Sequence, residues 1–250
     1  YRPDRIRAVL RQLDADVIAL QEVEQFAHDP GLLQFLCAGS ELTAIPGITM
    51  SRASGQYGNV ILTRLPVVAT RRVDLSIPGR EPRGLIDIDC TLATPGGNQS
   101  SETSNLRVLA THLGLRIGER RRQGAALTRL LGSSPPETQG SCTVLMGDFN
   151  DWLPGAWPLQ GLQGCFPVTP APRTFPARWP VFALDRIWIR GAATDIRIKA
   201  VNQPQTRRAS DHLPLLAGFT HARPSAIPQQ ASQDQRTAND QHQDQGENAQ

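Results

Sequence analysis

A short apolar run, Val144-Leu145-Met146, stops at Gly147-Asp148-Phe149-Asn150-Asp151. Apolar runs of this length bounded by turn residues read as buried strands. Asp148 and Asn150 are then expected at the mouth of a strand, two residues apart and on one side of the chain. A carboxylate and a carboxamide aimed at one spot orient a water and hold an oxyanion. An Asx-rich turn is the plainer role for the same pair. Other strand mouths offer Glu22 after Val17-Ile18-Ala19-Leu20, Glu81 before Leu85–Cys90 and His112 after Leu106–Ala110. Asp185 stands near the start of Leu184–Ile189, and Asp211-His212 in the turn before a last strand. No Ser nucleophile elbow, P-loop or dinucleotide fingerprint accompanies them. Several carboxylates, two histidines and an Asn fit metal-assisted hydrolysis of a phosphate ester. Mg²⁺ or Mn²⁺ are the cations that hard oxygen ligands suit.

The elements that must position these groups follow from periodicity. Ile6, Val9, Leu10 and Leu13 recur at helical spacing, with Pro3 suited to a first turn, so Pro3 to Leu13 reads as a helix. Val17–Leu20 reads as a strand of a covered sheet ending at Gln21-Glu22. Gly31 to Ala38 forms a short helix, 47–52 a strand, Gly55–Gly58 a turn, and Asn59–Thr63 and Val67–Leu75 two strands. Leu85–Cys90 alternates with period two, and residues 94–105 form a polar hairpin loop. Glu119 to Leu131 is a helix whose Arg120-Arg121-Arg122 either touch phosphates or, more simply, make a solvated face. Residues 152–180, rich in Pro, Gly and Trp, form an irregular excursion, and Asp195–Val201 a strand. Residues 222–250 are almost devoid of apolar side chains and read as a disordered polar tail behind one domain, residues 1–221.

Composition bounds the rest. The chain has 250 residues, 39% hydrophobic and 20% charged, ordinary values for a soluble protein. It holds no run of apolar residues long enough for a membrane span, and no secretory signal is legible from Tyr1, so the cytoplasm is the expected location. The net charge is +3. The tail carries two arginines against four acids, leaving the body about +5, which permits an anionic substrate without demanding one. Cys37, Cys90, Cys142 and Cys165 show no zinc-like spacing and read as buried free thiols.

The ordered series Leu20-Gln21-Glu22, Gly58-Asn59, Arg80-Glu81-Pro82, Thr111-His112, Gly147-Asp148-Phe149-Asn150, Leu184-Asp185-Arg186-Ile187 and Ser210-Asp211-His212 resembles the endonuclease/exonuclease/phosphatase superfamily, which includes deoxyribonuclease I. Each motif alone is weak; the set in this order is specific and spans nearly all of residues 3–219. The resemblance implies a four-layer α/β sandwich of two packed mixed sheets flanked by helices, with the site at one end. It implies Glu22 as the main metal ligand and Asp211 as a second ligand or support. It pairs His212 with Asp185 and His112 with Glu81. It makes Asp148 the residue that orients or deprotonates water and Asn150 the holder of a phosphate oxygen. Which histidine is acid and which base stays open at this point. The family's first strand, ending in a metal-binding Asn, would precede the Pro3 helix. With that strand absent, the chain as written is expected to be less stable and less active than a version carrying it.

The expected activity is divalent-metal-dependent hydrolysis of a phosphoester, foremost as a phosphodiesterase or nuclease, by a monomer. The alternatives are a phospholipid- or inositol-phosphate-directed enzyme and a catalytically impaired phosphate-binding domain. For nucleic acid, Arg116, Arg120 to Arg122, Arg173, Arg178, Arg207 and Arg208 would line a groove. Trp152, Trp157 and Trp179 would reach bases or a lipid interface, or simply pack the long loop.

Overall fold

Alternating apolar residues on successive strands build two facing layers of strands around an apolar interior. The structure, a computed structural model, describes residues 2–27, 31–92, 104–133, 141–152 and 159–221. One sheet has five strands in the order β4 (Val67–Asp74), β5 (Gly84–Leu92), β6 (Ser104–His112), β7 (Cys142–Asp148) and β8 (Asp185–Gly191). Neighbours are antiparallel except β6 and β7. A parallel pair needs a crossover, and helix α3 (Ile117–Gly132) lies in that connection. The opposing layer holds β1 (Val17–Phe26), β3 (Gly55–Thr63) and β2 (Thr43–Arg52), in the order β1-β3-β2, and the pair β9 (Ala193–Ala200) with β10 (Leu215–His221).

Three apolar clusters fix the layering. Ile61 from β3 packs on Ile86, Ile88, Val108, Val144 and Ile189 between the sheets. Leu85, Leu109, Leu145 and Trp188 face the other way, onto Leu127 and Leu131 of α3 and Leu162 of α4 (Gln160–Gln163). Ile18, Val60 and Leu62 face Leu10 of α1 (Pro3–Leu13) and Leu32 and Leu36 of α2 (Leu32–Cys37). The result is helix, sheet, sheet, helix: the four-layer α/β sandwich that the resemblance implies. All four cysteines are free thiols, Cys90 and Cys142 buried and Cys37 and Cys165 half-buried.

The elements differ from the periodicity reading in informative places. β1 does not stop at Leu20; its register on β3 jumps from Leu20↔Val60 to Val23↔Gly58, and the strand continues to Phe26. Gln21 and Glu22 are the bulge. Gly55–Gly58 is strand rather than turn, and the turn sits at Ala53-Ser54. Glycine weakens a strand interior, yet Gly58 is needed: a Cβ there would meet Gly47 O at 2.3 Å. Most of the 94–105 loop, Trp157 and the 222–250 tail lie outside the described residues.

Among the described residues, β1 is paired along one edge only, to β3, and β10 along one edge only, to β9. An apolar trough of about 810 Å³ runs between these strands, lined by Val17, Ala19, Val144, Met146, Leu215 and Ala217. Unpaired edges offer backbone N–H and C=O groups to any extended segment laid between them. One end of the trough reaches Asp185 and His212.

Candidate active site

The register of three neighbouring strands assembles the site. Parallel β6–β7 pairing sets His112 opposite Asp148, and antiparallel β7–β8 pairing sets Asp148 opposite Asp185. Gly147 makes this row possible. It has φ +144°, and a Cβ on it would fall 1.9 Å from the Thr111 carbonyl oxygen. After Asp148 the chain turns. Asn150 has φ +49°, a left-handed conformation that Asn tolerates, and its N–H donates to Asp148 Oδ1 at 2.8 Å. Asp148 and Asn150 therefore come together through an Asx turn, not through the alternation of a strand. Phe149 N–H donates to Leu184 O at 3.0 Å, tying this turn to the start of β8.

Asp148 Oδ2 lies between two imidazoles, 3.6 Å from His112 Nε2 and 3.9 Å from His212 Nε2. His212 Nδ1 meets Asp185 Oδ2 at 2.9 Å, the pairing that the resemblance implies. Burial lowers the basicity of His212, but its bond to Asp185 and the charges of Asp185, Asp148 and Asp211 more than offset this, raising its pKa to about 9. Burial, then the charges of Arg83 and His212, push His112 down to about 3. Burial, then the charge of Asp185, push Asp148 up to about 6, against the pull of the Asn150 N–H and of His212. At neutral pH the two histidines thus differ in charge: His212 is protonated and His112 is neutral.

Glu22 sits in the β1 bulge with φ +56°, its side chain 61% exposed and Oε1 4.0 Å from His112 Nδ1. The phenol of Tyr57 is raised well above its ordinary range by burial, then by the charges of Glu22 and Glu81, with a hydrogen bond to Glu22 adding to this. The expected pair of His112 with Glu81 is not formed. Glu81 Oε1 meets Arg83 Nη1 at 3.2 Å, and the same Nη1 lies 3.2 Å from His112 Nδ1. The guanidinium stands between the two because Arg83 is buried and reaches inward, while Glu81, two residues earlier and beyond Pro82, is 44% exposed. Asp211 is exposed, with Oδ1 3.4 Å from Ser210 Oγ, and lies outside the inner acid–histidine cluster.

That cluster is Asp148, Asp185 and His212, whose donor atoms lie within 4.8 Å of one another. Its two aspartates are hard oxygen donors, and the acids are underneutralised: the charges of Asp185 and Glu22 both raise Asp148. A divalent cation relieves this repulsion, so the residues present fit one.

Three further groups hold the site and were not legible as site residues. Arg83 touches His112. Arg186 Nη2 and Asp151 Oδ2 form a buried pair at 3.0 Å, locking the turn after Asn150 to β8. Burial opposes charge on both, pushing Asp151 up and Arg186 down. The available signal was Arg186 itself, a charge inside an apolar strand. Tyr57 had none, since its partner Glu22 sits on another strand. Arg120 is buried and donates to the Gly114 and Leu115 carbonyls, so it is neither a solvated face nor part of a groove. Trp152 packs edge-on against Phe175 and Phe182, as loop packing predicts. Trp179 is 81% exposed. Phe175 lies 4.8 Å from the His212 ring.

Acids and histidines gathered where β6, β7 and β8 meet, in strand layers flanked by helices, sit on a fold of the deoxyribonuclease I type. The sequence pattern described as the Endonuclease/Exonuclease/phosphatase family matches residues 1–212, and the chain belongs to that family, whose members generally hydrolyse phosphoester bonds. It is 31% identical over 230 residues to the Escherichia coli K12 protein called "Uncharacterized protein YbhP", covering 85% of this chain and 86% of that one. Its fold is similar to an endonuclease/exonuclease/phosphatase from Beutenbergia cavernae, with TM-score 0.64, 22% identity and 88% of this chain covered. This chain spans 66% of that one. It is also similar to the mannosyl-6-phosphatase Bt3783 of Bacteroides thetaiotaomicron, with TM-score 0.61, 13% identity and coverage of 88% and 90%.

Proposed function

We propose that the chain is a divalent-metal-dependent phosphodiesterase with nuclease-type substrates. The observation that carries this reading is Asp148 Oδ2 held between a neutral and a charged imidazole. A carboxylate with a pKa of about 6 is poised to accept a proton from water near neutral pH. His212, oriented and charged by Asp185, presents Nε2–H as a proton donor and as positive charge for a phosphoryl oxygen. His112, being neutral, donates a hydrogen bond and does not supply a proton. Asn150 Nδ2 holds a phosphoryl oxygen. Glu22, whose charge reaches Asp148, would hold Mg²⁺ or Mn²⁺, and the ion would neutralise charge building up on the phosphoryl oxygens. For the substrate, the segment from Phe175 to Phe182 carries exposed Trp179 and Val181, and Ala177 N–H donates to Asp211 O beside His212. An aromatic surface beside a phosphate site suits stacked bases.

Hydrolysis of an aryl phosphodiester with Mg²⁺ or Mn²⁺ tests the mechanism. Activity is expected to vanish with chelator and to fall about a hundredfold or more in His212→Ala and Asp148→Ala. Unchanged rates in both variants, or no metal dependence, would sink it. A panel of duplex DNA, RNA, abasic DNA, sphingomyelin and inositol phosphates tests the substrate class. Preference for a lipid or inositol phosphate would replace the nuclease reading and leave the mechanism standing.

A further inference from the structure

Arg83 has no role in the mechanism above, yet it is buried against the site. Its backbone is fixed on both sides: its N–H donates to Ser76 Oγ at 3.2 Å, and its carbonyl accepts from Leu75 N–H at 2.9 Å. The side chain is 6% exposed, and its Nε has no partner among the described residues. The group that does the contacting is Nη1, 3.2 Å from both His112 Nδ1 and Glu81 Oε1.

A guanidinium only donates and stays charged at any ordinary pH. The nitrogen facing it must therefore offer a lone pair. A neutral imidazole has one N–H, so with Nδ1 accepting from Arg83 the hydrogen of His112 is on Nε2. The other tautomer would press a hydrogen against a buried cation, and the carboxylate recorded beside Nδ1, Glu22 Oε1, is 4.0 Å away.

On the Nε2 side stands Asn150 Nδ2, at 3.2 Å. The Asn150 amide has a fixed orientation, because Nδ2 also donates to Leu113 O at 2.8 Å. Flipping it would set two carbonyl oxygens against each other. So a second Nδ2 hydrogen and the Nε2 hydrogen lie side by side and cannot bond each other. Asp148 Oδ2, at 3.6 Å from Nε2, is beyond hydrogen-bond range. Two donors this close are satisfied together by one external acceptor.

We propose that Arg83 is a positioning residue that holds His112 as its Nε2–H tautomer, so that His112 Nε2–H and Asn150 Nδ2–H form a two-donor cradle for a single phosphoryl oxygen. The assignment of that oxygen rests on the phosphoesterase reading; the tautomer does not. Glu81 acts through Arg83, anchoring the guanidinium from its solvent side.

Imidazole ¹⁵N NMR of the full chain at neutral pH with Mg²⁺ reads the tautomer directly, His112 being assigned by loss of its signals in His112→Gln. A protonated Nε2 and an unprotonated Nδ1 are expected. In Arg83→Met the Nδ1–H form should appear, and kcat for the aryl phosphodiester should fall roughly ten- to hundredfold with a smaller change in KM. Arg83→Lys, still a cationic donor, should keep the tautomer and recover part of kcat. An Nδ1–H or doubly protonated His112 in the unmodified chain would overturn the proposal, and so would an unchanged tautomer in Arg83→Met. If Arg83→Met does not fold, the unmodified chain and Arg83→Lys decide. A chain with the expected tautomer and no hydrolysis would overturn the functional reading, not the tautomer lock.

Discussion

At Asp148, stability and function pull in opposite directions. The folded chain holds the Asp148 proton more tightly than the unfolded chain does, with a pKa of about 6 against an ordinary value near 4. Stability contributed by this group is therefore present below about pH 4 and lost as pH rises through about 6. In the metal-free protein its ionised form costs on the order of 2 kcal/mol at pH 8. Asp148→Asn keeps an oxygen for the Asn150 N–H and removes the charge. It is expected to raise Tm at pH 8, to change it little at pH 4, and to abolish turnover. Melting curves at both pH values check this, and a lower Tm at pH 8 would contradict it. His212 runs the other way. Its pKa of about 9 means its stabilisation is full below about pH 6.5 and lost as pH rises through about 9. The pH–rate profile is accordingly expected to rise through about 6 and fall through about 9. In Asp185→Asn the basic limb should move down, because burial opposes the His212 charge and only Asp148 and Asp211 remain to support it. A basic limb that stays in place would dismiss His212 as the charged partner.

Two short stretches of backbone carry the site at the scale of elements. Gly147 allows β6 and β7 to approach so closely that a methyl group has nowhere to go: Thr111 O, C and N all lie within 3.2 Å of its position. Those are backbone atoms of a central strand and cannot step aside. Gly147→Ala is expected to cost about 3 kcal/mol or more, read as a lower urea midpoint. The β1 bulge is the second stretch. Glu22 adopts φ +56° there, a conformation that costs a residue with a side chain about 1 kcal/mol relative to glycine. Glu22→Gly should therefore stabilise the metal-free chain by about that much while weakening Mn²⁺ binding in calorimetric titration. A variant that binds Mn²⁺ as tightly as before would remove Glu22 from the metal site. The buried Asp151–Arg186 pair is a third fixture, since loss of either partner strands the other's charge in the core.

The molecule as a whole has two strands whose second edges are unpaired among the described residues, and an apolar trough between them. Exposed strand edges template further pairing, and apolar walls gain from any segment that fills them. Extending the chain ahead of Tyr1 with an apolar, strand-forming segment is expected to raise Tm and to lower the fluorescence of an apolar dye bound to the native state. Because the trough reaches Asp185 and His212, turnover should rise as well. Identical melting, dye signal and turnover would show that the trough does not shape the site.

The sequence by itself determined the layers and the family. Helical spacing of Ile6, Val9, Leu10 and Leu13 gave α1, because one apolar face must be buried whatever it meets. Period-two alternation gave β5, and the ordered acids, histidines and Asn gave the family. What tertiary structure alone decided were contacts between residues far apart in the chain. Arg83 displaces Glu81 from His112 across a separation of 29 residues, and no local pattern records which of two neighbouring charges points inward. The bulge at Glu22 depends on its register against β3. The opposite charge states of His112 and His212 depend on burial and on which charged group stands beside each ring, a guanidinium in one case and a carboxylate in the other. Residue type sets what a side chain can do. Only the packed surroundings set its proton, because desolvation and neighbouring charge act through space and not along the chain.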